Sequence, residues 1–341
     1  MSRKSRTGRK AWATLVTNEA YLAGLLTMYR TLRAVSSYPL IVMVTDTLPE
    51  SSRNIIRRTG IDVVPVAHIT PALGQHPGFD PTFVRLNDAW TKLRIFGLTE
   101  YDRLVLIDSD MIFLRGMDEV FDLELPGDDW IGAAPACVCN PLKLAHYPKD
   151  WIPANCSLSR QGRYDSLEAE EIPAVDGPRT SHLLNSGMVV LQPSATTMGS
   201  LLRHLDTSPT IAEAKFADQD VIAEAFHGRW RPLPWWSNAL KTQRAVHPDL
   251  WLDTEARLVH YILDKPWSRR PQVPEFEPGV CGTELPPALV DAVKQTPPQK
   301  SLMAYDELHA WWWVVYEQLL WEMKQQGEAS GWREVEKGVS R

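Results

Sequence analysis

The stretch Leu104-Val105-Leu106-Ile107-Asp108-Ser109-Asp110 decides the fold of this 341-residue chain. Its four aliphatic residues are too few for a helix, and they indicate a strand that is buried on both faces and stops at two carboxylates. Because side chains two residues apart in an extended chain point the same way, Asp108 and Asp110 can present their oxygens together. Such oxygens are ligands that Mg²⁺ and Mn²⁺ prefer, and a phosphate can complete the shell of the ion.

The Asp-x-Asp pair also has a simpler interpretation. Aspartate favours turns, so Asp108 and Asp110 could merely solvate the end of a strand. We expect Asp110 to be a carboxylate at the surface edge of the sheet, where it contributes little to core packing. The choice between a turn and a metal site therefore depends on what other segments bring to this edge.

Composition and charge narrow the class of protein. With 44% hydrophobic residues the chain can build a substantial core, and its net charge of −6 argues against nucleic acid or an anionic membrane as partner. The basic tail, residues 1–10, is not followed by a secretory signal, and no apolar run approaches the roughly 18 residues that cross a bilayer. We therefore expect a soluble, cytoplasmic protein without a membrane span.

The four cysteines are irregularly spaced, at Cys137, Cys139, Cys156 and Cys281. A Cys-x-Cys pair followed by a lone cysteine lacks the paired spacing of a zinc site. The sequence therefore favours buried free thiols.

Strand and helix patterns alternate over the first 70 residues, which is typical of βαβ units in a parallel sheet. Strands are predicted over 12–17, 40–44 and 61–69, and a helix over 86–98 carries Lys92 toward the acidic pair. The chain is predicted to be an α/β protein whose mostly parallel central sheet is flanked by helices. In such sheets ligands bind at the carboxyl ends of the strands.

The end of the chain has a different organisation. A Pro-rich span, residues 271–300, is predicted to be a linker between the main domain, 11–270, and a terminal segment, 301–341. Apolar residues at helical spacing predict a helix over 305–325 that docks on the main domain. These residues are Leu308, Trp312, Val315, Leu319 and Met323. We interpret Trp311-Trp312-Trp313 as core rather than as a platform for sugars.

A series of motifs in a particular order makes residues 11–268 resemble the retaining glycosyltransferases of family 8, which include glycogenin and the plant galactinol synthases. The motifs are Thr17-Asn18 with Tyr21, Thr91-Lys92-Leu93, Asp108-Ser109-Asp110, Asn185-Ser186-Gly187, Ala217-Asp218-Gln219-Asp220, and His260 followed by Lys265-Pro266-Trp267. The resemblance implies the GT-A fold, a Rossmann-like fold of nucleotide-diphospho-sugar transferases.

The resemblance also implies a UDP-sugar donor and Mn²⁺ or Mg²⁺ as cofactor. It implies that Asp108, Asp110 and His260 hold the ion, and that Asp218 and Gln219 lie beneath the anomeric carbon as catalytic residues. The residues implied to contact the sugar nucleotide are Thr17, Asn18, Tyr21, Lys92, Asp108, Ser109, Asn185, Ser186 and Lys265. Independently of the resemblance, departure of a nucleoside diphosphate requires a cation and a fixed positive side chain.

The chain departs from the family pattern at two points. His260 and Lys265 are five residues apart, whereas the family has six and a glycine between them. Residues 218–259 contain no tyrosine, although glycogenin carries its self-glucosylated tyrosine there. The sequence therefore predicts a retaining, Mn-dependent hexosyltransferase that is similar to galactinol synthase rather than to glycogenin. It would move galactose or glucose from UDP-galactose or UDP-glucose to a small polyol, sugar or other hydroxyl acceptor. The sequence leaves open whether the protein forms a homodimer.

Two rival functions would suit parts of the same pattern. A nucleotidyl or phosphoryl transferase could use the same acidic pair but would be expected to carry a Gly-rich phosphate loop, which the sequence lacks. A non-catalytic protein that binds sugar nucleotides would be expected to lose Asp108 or Asp110, and both are present. Two retaining mechanisms stay open: covalent attack by a carboxylate such as Asp218, or departure and attack on one face of the sugar.

The 139–184 insertion shows no sustained period and is long for a loop, and such loops are usually functional. It joins the strand after the acidic pair to the strand that bears Asn185, so we expect it to form the acceptor side of the site. His146, Tyr147, Trp151 and Tyr164 offer the flat faces and polar edges that a polyol needs. The alternative is a surface excursion whose Trp and Cys fill a small satellite core.

Overall fold

The computed structural model describes residues 8–79, 86–145, 147–168, 170–297 and 305–340. In chain order, the strands are β1 (Lys10–Val16), β2 (Leu40–Val44), β3 (Asp62–Pro65), β4 (Arg103–Ile107), β5 (Met111–Phe113), β6 (Ile131–Pro135), β7 (Leu184–Leu191), β8 (Trp230–Pro232), β9 (Ala239–Leu240) and β10 (Leu258–His260). The α-helices are α1 (Leu22–Val35), α2 (Glu50–Arg58), α3 (Leu86–Ala89), α4 (Ala195–Thr207), α5 (Asp218–Ala225), α6 (Gln243–Val246), α7 (Pro287–Gln295), α8 (Asp306–Gln325) and α9 (Trp332–Lys337).

The large sheet has the strand order β3-β2-β1-β4-β7-β6-β8. β1, β2, β3 and β4 run parallel, β8 runs parallel to β6, and β7 is antiparallel to both of its neighbours. The side chains of Leu104 to Ile107 on β4 are fully buried. The predicted α/β fold with a mostly parallel sheet and a central strand buried on both faces is confirmed.

A small sheet, β5-β10-β9, adjoins the large one. β5 begins directly after Asp110 and pairs antiparallel with β10, so that Met111 faces His260 across the ladder. This pairing places a histidine from late in the chain beside the acidic pair.

The terminal helix α8 lies within one residue of the prediction, and all five residues of its apolar stripe are buried. Its residue Glu322 binds the buried guanidinium of Arg30 on α1, with an Nε to Oε2 distance of 2.9 Å. Trp311, Trp312 and Trp313 are almost fully buried, which confirms that they belong to the core.

The secondary structure differs from the prediction in several places, and the strand predicted over 61–69 ends at Pro65. Only the first turn of the predicted helix over 86–98 is α-helical, and Trp90–Gly97 forms a 3-10 helix in which five of the eight residues are buried. Tertiary packing therefore overrides propensity there. The predicted linker contains α7, whose Pro287 sits in the first turn, where proline needs no amide hydrogen. Helix α4 was not predicted.

Some predictions lie beyond what the structure addresses. Most of the basic tail, His146 and residues 298–304 fall outside the described residues. Among the described residues, no helix combines the length and apolarity that a membrane crossing requires. The expected cytoplasmic location stays a prediction.

Candidate active site

One open cleft lies at the carboxyl ends of β1 and β4. It is lined by every site residue that the sequence predicted, from Thr17 to Lys265. The motifs that carried them are distant in the chain. The motifs after β1 and β4 meet because the ends of parallel strands share an edge, and β7, α5 and β10 bring the others to the same place. Their individual roles stay predictions, whereas their proximity is a structural fact.

The acidic pair meets His260 in this cleft. Nε2 of His260 lies 3.6 Å from an oxygen of Asp108 and 3.5 Å from an oxygen of Asp110. One ligand atom from each of the three residues lies within 4.8 Å of the other two. Backbone hydrogen bonds fix the pair, because the amide of Asp108 donates to the carbonyl of Gly187 and the amide of Tyr261 donates to the carbonyl of Asp110. Two carboxylates and an imidazole in this arrangement fit a divalent ion such as Mn²⁺.

A residue that was not predicted from the sequence orients His260. The side-chain amide of Asn238 donates to Asn185 at 2.8 Å, so the amide oxygen of Asn238 accepts from Nδ1 of His260 at 3.0 Å. With its proton on Nδ1, the imidazole presents a lone pair on Nε2 toward the carboxylates. Asn238 is fully buried in a tryptophan-rich segment, where no pattern in the sequence marks it.

Gly187 makes room for this imidazole. A Cβ atom at position 187 would lie 2.3 Å from Cε1 of His260, well inside contact distance. The glycine of the Asn185-Ser186-Gly187 motif is therefore required by the close approach of the ring to the β7 backbone.

Two lysines neutralise the carboxylates. Nζ of Lys92 lies 2.7 Å from Asp108 and 3.5 Å from Asp218, and Lys265 binds Asp110. Burial alone would lower the pKa of Lys92, but these carboxylates raise it above its ordinary value. Burial alone would raise the pKa of Asp110, but the ammonium of Lys265 holds it well below its usual range. Asp110 is only 4% exposed, so the expectation that it lies at the surface edge is wrong: β10 and Lys265 cover it.

Asp218 and Gln219 begin α5 and form part of the cleft wall. Burial raises the pKa of Asp218 from 3.8 to about 6, although Lys92 opposes the shift. Ala217, directly before it, has φ of +45°, a strained conformation for a residue with a side chain. Gln219 accepts a hydrogen bond from Asn185 at 3.1 Å. The wall is thus a fixed polar network that ends in a buried carboxyl group.

The segment after β1 forms a further wall. Thr17 donates to Asp88 at 2.8 Å, and Asp88 is a cleft residue that was not predicted from the sequence. The side chain of Asn18 accepts from the amide of Ala20 and caps the short helix that follows. The ring of Tyr21 packs edge-on against Trp267, with ring centres 5.4 Å apart.

Leu263 occupies the position at which the family pattern has a glycine. It stands three residues after His260, where the family has glycine, and its φ is +66°. The backbone at position 263 is therefore left-handed although the residue is leucine and not glycine, which adopts this conformation freely.

Aromatic side chains of the 139–184 insertion complete the cleft. The ring of Trp151 stacks on Phe216 with centres 5.1 Å apart, and Tyr147 packs edge-on against both rings. All three residues line the cleft. Tyr164, in the same insertion, is half exposed, and it is not one of the described residues that line the cleft.

The sequence is similar to those of known proteins. The sequence model described as glycosyl transferase family 8 matches residues 13–270. Galactinol synthase 1 of Solanum lycopersicum is 30% identical over 256 residues, which cover 74% of this chain and 72% of the relative. Galactinol synthase 4 of Arabidopsis thaliana is 29% identical over 266 residues, which cover 76% and 74%.

Two solved structures are similar in fold. The galactosyltransferase LgtC, in complex with donor and acceptor sugar analogues, superposes with a TM-score of 0.50 at 16% identity and covers 76% of this chain and 90% of its own. The apo form of the bifunctional glycosyltransferase WbbM gives a TM-score of 0.50 at 15% identity, with 78% of this chain but 48% of its own length covered. At such identities the likeness concerns the fold alone.

Proposed function

Because the chain belongs to glycosyl transferase family 8 and is a glycosyltransferase with a GT-A fold, we propose that it transfers a hexose from a UDP-sugar to a small hydroxyl acceptor with retention of configuration. Galactose and glucose are the sugars we propose. The observation that carries this proposal is the convergence of Asp108, Asp110 and His260 with Lys92 and Lys265 in one cleft.

The donor set supports a divalent metal, Mn²⁺ or Mg²⁺, at Asp108, Asp110 and His260. When bound, such an ion neutralises charge on the diphosphate that departs. Lys265, which lies at Asp110, would supply a second positive charge to the diphosphate. Asn238 holds the imidazole of His260 in the tautomer that the ion requires.

The transfer itself exchanges one bond to the anomeric carbon for another. The bond from this carbon to the diphosphate oxygen breaks with its electron pair on the oxygen, and a bond to the acceptor oxygen forms. In the same-face route the diphosphate oxygen takes the proton of the acceptor. In the covalent route the carboxylate of Asp218 first attacks the carbon and expels the diphosphate, and the acceptor oxygen then displaces Asp218 while its proton passes to the diphosphate oxygen. Gln219 lies beside Asp218 in either case, where its amide can stabilise positive charge on the sugar ring.

The acceptor is proposed to be a small polyol, because the two relatives compared above are galactinol synthases and because Trp151 and Tyr147 offer flat faces beside the cleft. A nucleotidyl transferase or a non-catalytic binding protein would share the fold but not the activity.

One experiment tests the proposal. The protein is incubated with Mn²⁺ and UDP-galactose or UDP-glucose, and UDP release is measured without acceptor and with a panel of polyols and sugars that includes myo-inositol. We expect release that a chelator abolishes, a product whose anomeric signal retains the donor configuration, and an intact protein mass that stays unchanged. Absence of UDP release with every donor, or a ladder of hexose masses on the protein, would overturn it.

A further inference from the structure

A second cluster of metal-ligating side chains lies beside the cleft. Cys137 and Cys139 follow β6, Cys156 lies in the 139–184 insertion, and His247 follows α6. One ligand atom from each lies within 4.8 Å of the other three. Cys139, Cys156 and His247 are buried and Cys137 is half-buried. We call these four residues the thiol cluster.

The distances within the thiol cluster match those around a single tetrahedral ion. Nε2 of His247 lies 3.5 Å from Sγ of Cys137, 3.3 Å from Cys139 and 3.5 Å from Cys156. Zinc bonds of about 2.3 Å to sulfur and 2.0 Å to nitrogen, set at tetrahedral angles, separate nitrogen from sulfur by about 3.5 Å. The nitrogen-to-sulfur distances are therefore those expected between the ligands of one ion, and the three sulfur atoms lie within 4.8 Å of one another.

Three sulfur atoms and one imidazole nitrogen meet in the thiol cluster. A soft divalent ion among them would stabilise the negative charge of all three sulfurs as thiolates, and the protons of the thiols would be released.

We propose that Cys137, Cys139, Cys156 and His247 hold one Zn²⁺ ion with a structural role. Three thiolates and an imidazole select zinc rather than the Mg²⁺ or Mn²⁺ that carboxylates prefer. Four protein ligands fill a tetrahedral shell and leave no position for substrate, which is the arrangement of a structural site. The proposal does not depend on the function proposed above.

The ion would anchor the acceptor wall. Cys156 stands five residues after Trp151 in the insertion, whereas Cys137 and His247 belong to segments that leave β6 and α6. A bond from each to one ion ties the insertion to the main domain at a point next to the aromatic rings of the cleft. Such an anchor would explain how Trp151 is held in place, although the described helices of the 139–184 insertion are all short.

The sequence predicted buried free thiols, and all four cysteines are free, with Cys139 and Cys156 buried and Cys137 and Cys281 partly exposed. The sequence did not predict that three of them form a cluster with His247. The spacing of the cysteines in the chain carries no sign of His247, which lies 91 residues after Cys156. Only the packing of α6 beside the insertion reveals the fourth ligand.

Metal analysis of the purified full chain tests the proposal. The protein is produced with zinc in the medium and dialysed against a mild chelator, and its metal content is measured by mass spectrometry. We expect about one zinc per chain, and loss of this zinc in Cys156→Ser and His247→Ala. The matched control is Cys281→Ser, because Cys281 contacts Arg30 and Glu322 outside the thiol cluster and should keep the zinc. Asp108→Asn should keep it too, which separates this ion from the metal of the donor site.

A spectroscopic readout covers the case in which the cluster variants do not fold. Wild-type protein prepared with Co²⁺ should show a thiolate-to-cobalt charge-transfer band and the intense visible bands of a tetrahedral site. Either result, the zinc content or this spectrum, supports the proposal. Wild-type protein without zinc, a disulfide among the three cysteines, iron or copper at the site, or zinc that persists in Cys156→Ser would overturn it.

Discussion

The amide oxygen of Asn238 lies 3.0 Å from Nδ1 of His260 and fixes the imidazole with Nε2 toward Asp108 and Asp110. Asn238 is in turn held by Asn185, whose own amide reaches Gln219. A single chain of hydrogen bonds therefore joins the proposed metal ligand to Gln219 in the cleft wall.

Asn238→Ala tests this orientation. Without its acceptor, the His260 ring loses both its tautomer and its fixed angle, so we expect the affinity for Mn²⁺ to fall by roughly 10- to 100-fold. Titration calorimetry with Mn²⁺ and UDP measures the change. Ser237→Ala is the control, since Ser237 is equally buried and its hydroxyl donates only to the Pro234 carbonyl. Equal affinities in both variants would show that His260 is not a ligand.

Replacement of Asp108 and replacement of Asp110 should lower the free energy of unfolding by different amounts. Asp108→Asn and Asp110→Asn should both abolish Mn-dependent binding of the UDP-sugar. Asp110→Asn should also lower the free energy of unfolding by about 3 kcal/mol, because it leaves the largely buried Lys265 without its carboxylate. Asp108→Asn should cost less, because Lys92 keeps Asp218. Urea unfolding compares the two, and full turnover of either variant in a chelator would contradict the metal assignment.

Asp218 should make stability depend on pH. Its pKa of about 6 exceeds the ordinary 3.8, so between these values the folded state binds more protons than the unfolded state. The free energy of unfolding therefore falls as pH rises through this window, with a slope of about 1.4 kcal/mol per pH unit. Asp218→Asn should remove this contribution, whereas replacement of the exposed Asp206 by Asn should not. Denaturant unfolding from pH 4 to pH 7 gives the difference, and parallel curves for wild type and Asp218→Asn would refute the prediction.

Trp151→Ala tests the acceptor wall. We expect it to raise the acceptor KM or lower transfer by roughly tenfold while metal-dependent hydrolysis of the UDP-sugar stays nearly unchanged, since hydrolysis needs only the donor half. Tyr164→Ala is the control from the same insertion, because its side chain is half exposed and away from the cleft. If hydrolysis, transfer and thermal stability all fall together, Trp151 is a structural residue.

The backbone at Leu263 carries strain that glycine would relieve. Leu263→Gly should be more stable than the neighbouring control Ile262→Gly by at least about 1 kcal/mol, because only position 263 has a positive φ. Thermal unfolding of both variants measures this difference. A Leu263→Gly protein that is destabilised as much as the control would show that the side chain, not the backbone, governs this position.

The sequence by itself determined β4, the acidic pair, helix α8 and the order of the motifs. These features depend on local patterns: residues two apart in a strand share a face, and residues three or four apart in a helix form a stripe. Motifs that follow parallel strands could be expected to converge, because the carboxyl ends of such strands lie at the same edge of the sheet. All thirteen predicted site residues line the cleft, and those that follow β1 and β4 do so for this reason.

Only the tertiary structure decided the contacts between distant segments. The burial of Asp110 follows from the pairing of β5 with β10, and Asn238, Asp88 and His247 take their places through packing that no local period encodes. A hydrogen bond or a ligand sphere needs atoms within a few ångströms of each other, whereas sequence patterns report only which face of a segment is buried. The orientation of His260 and the assembly of the thiol cluster are therefore properties of the fold rather than of any segment.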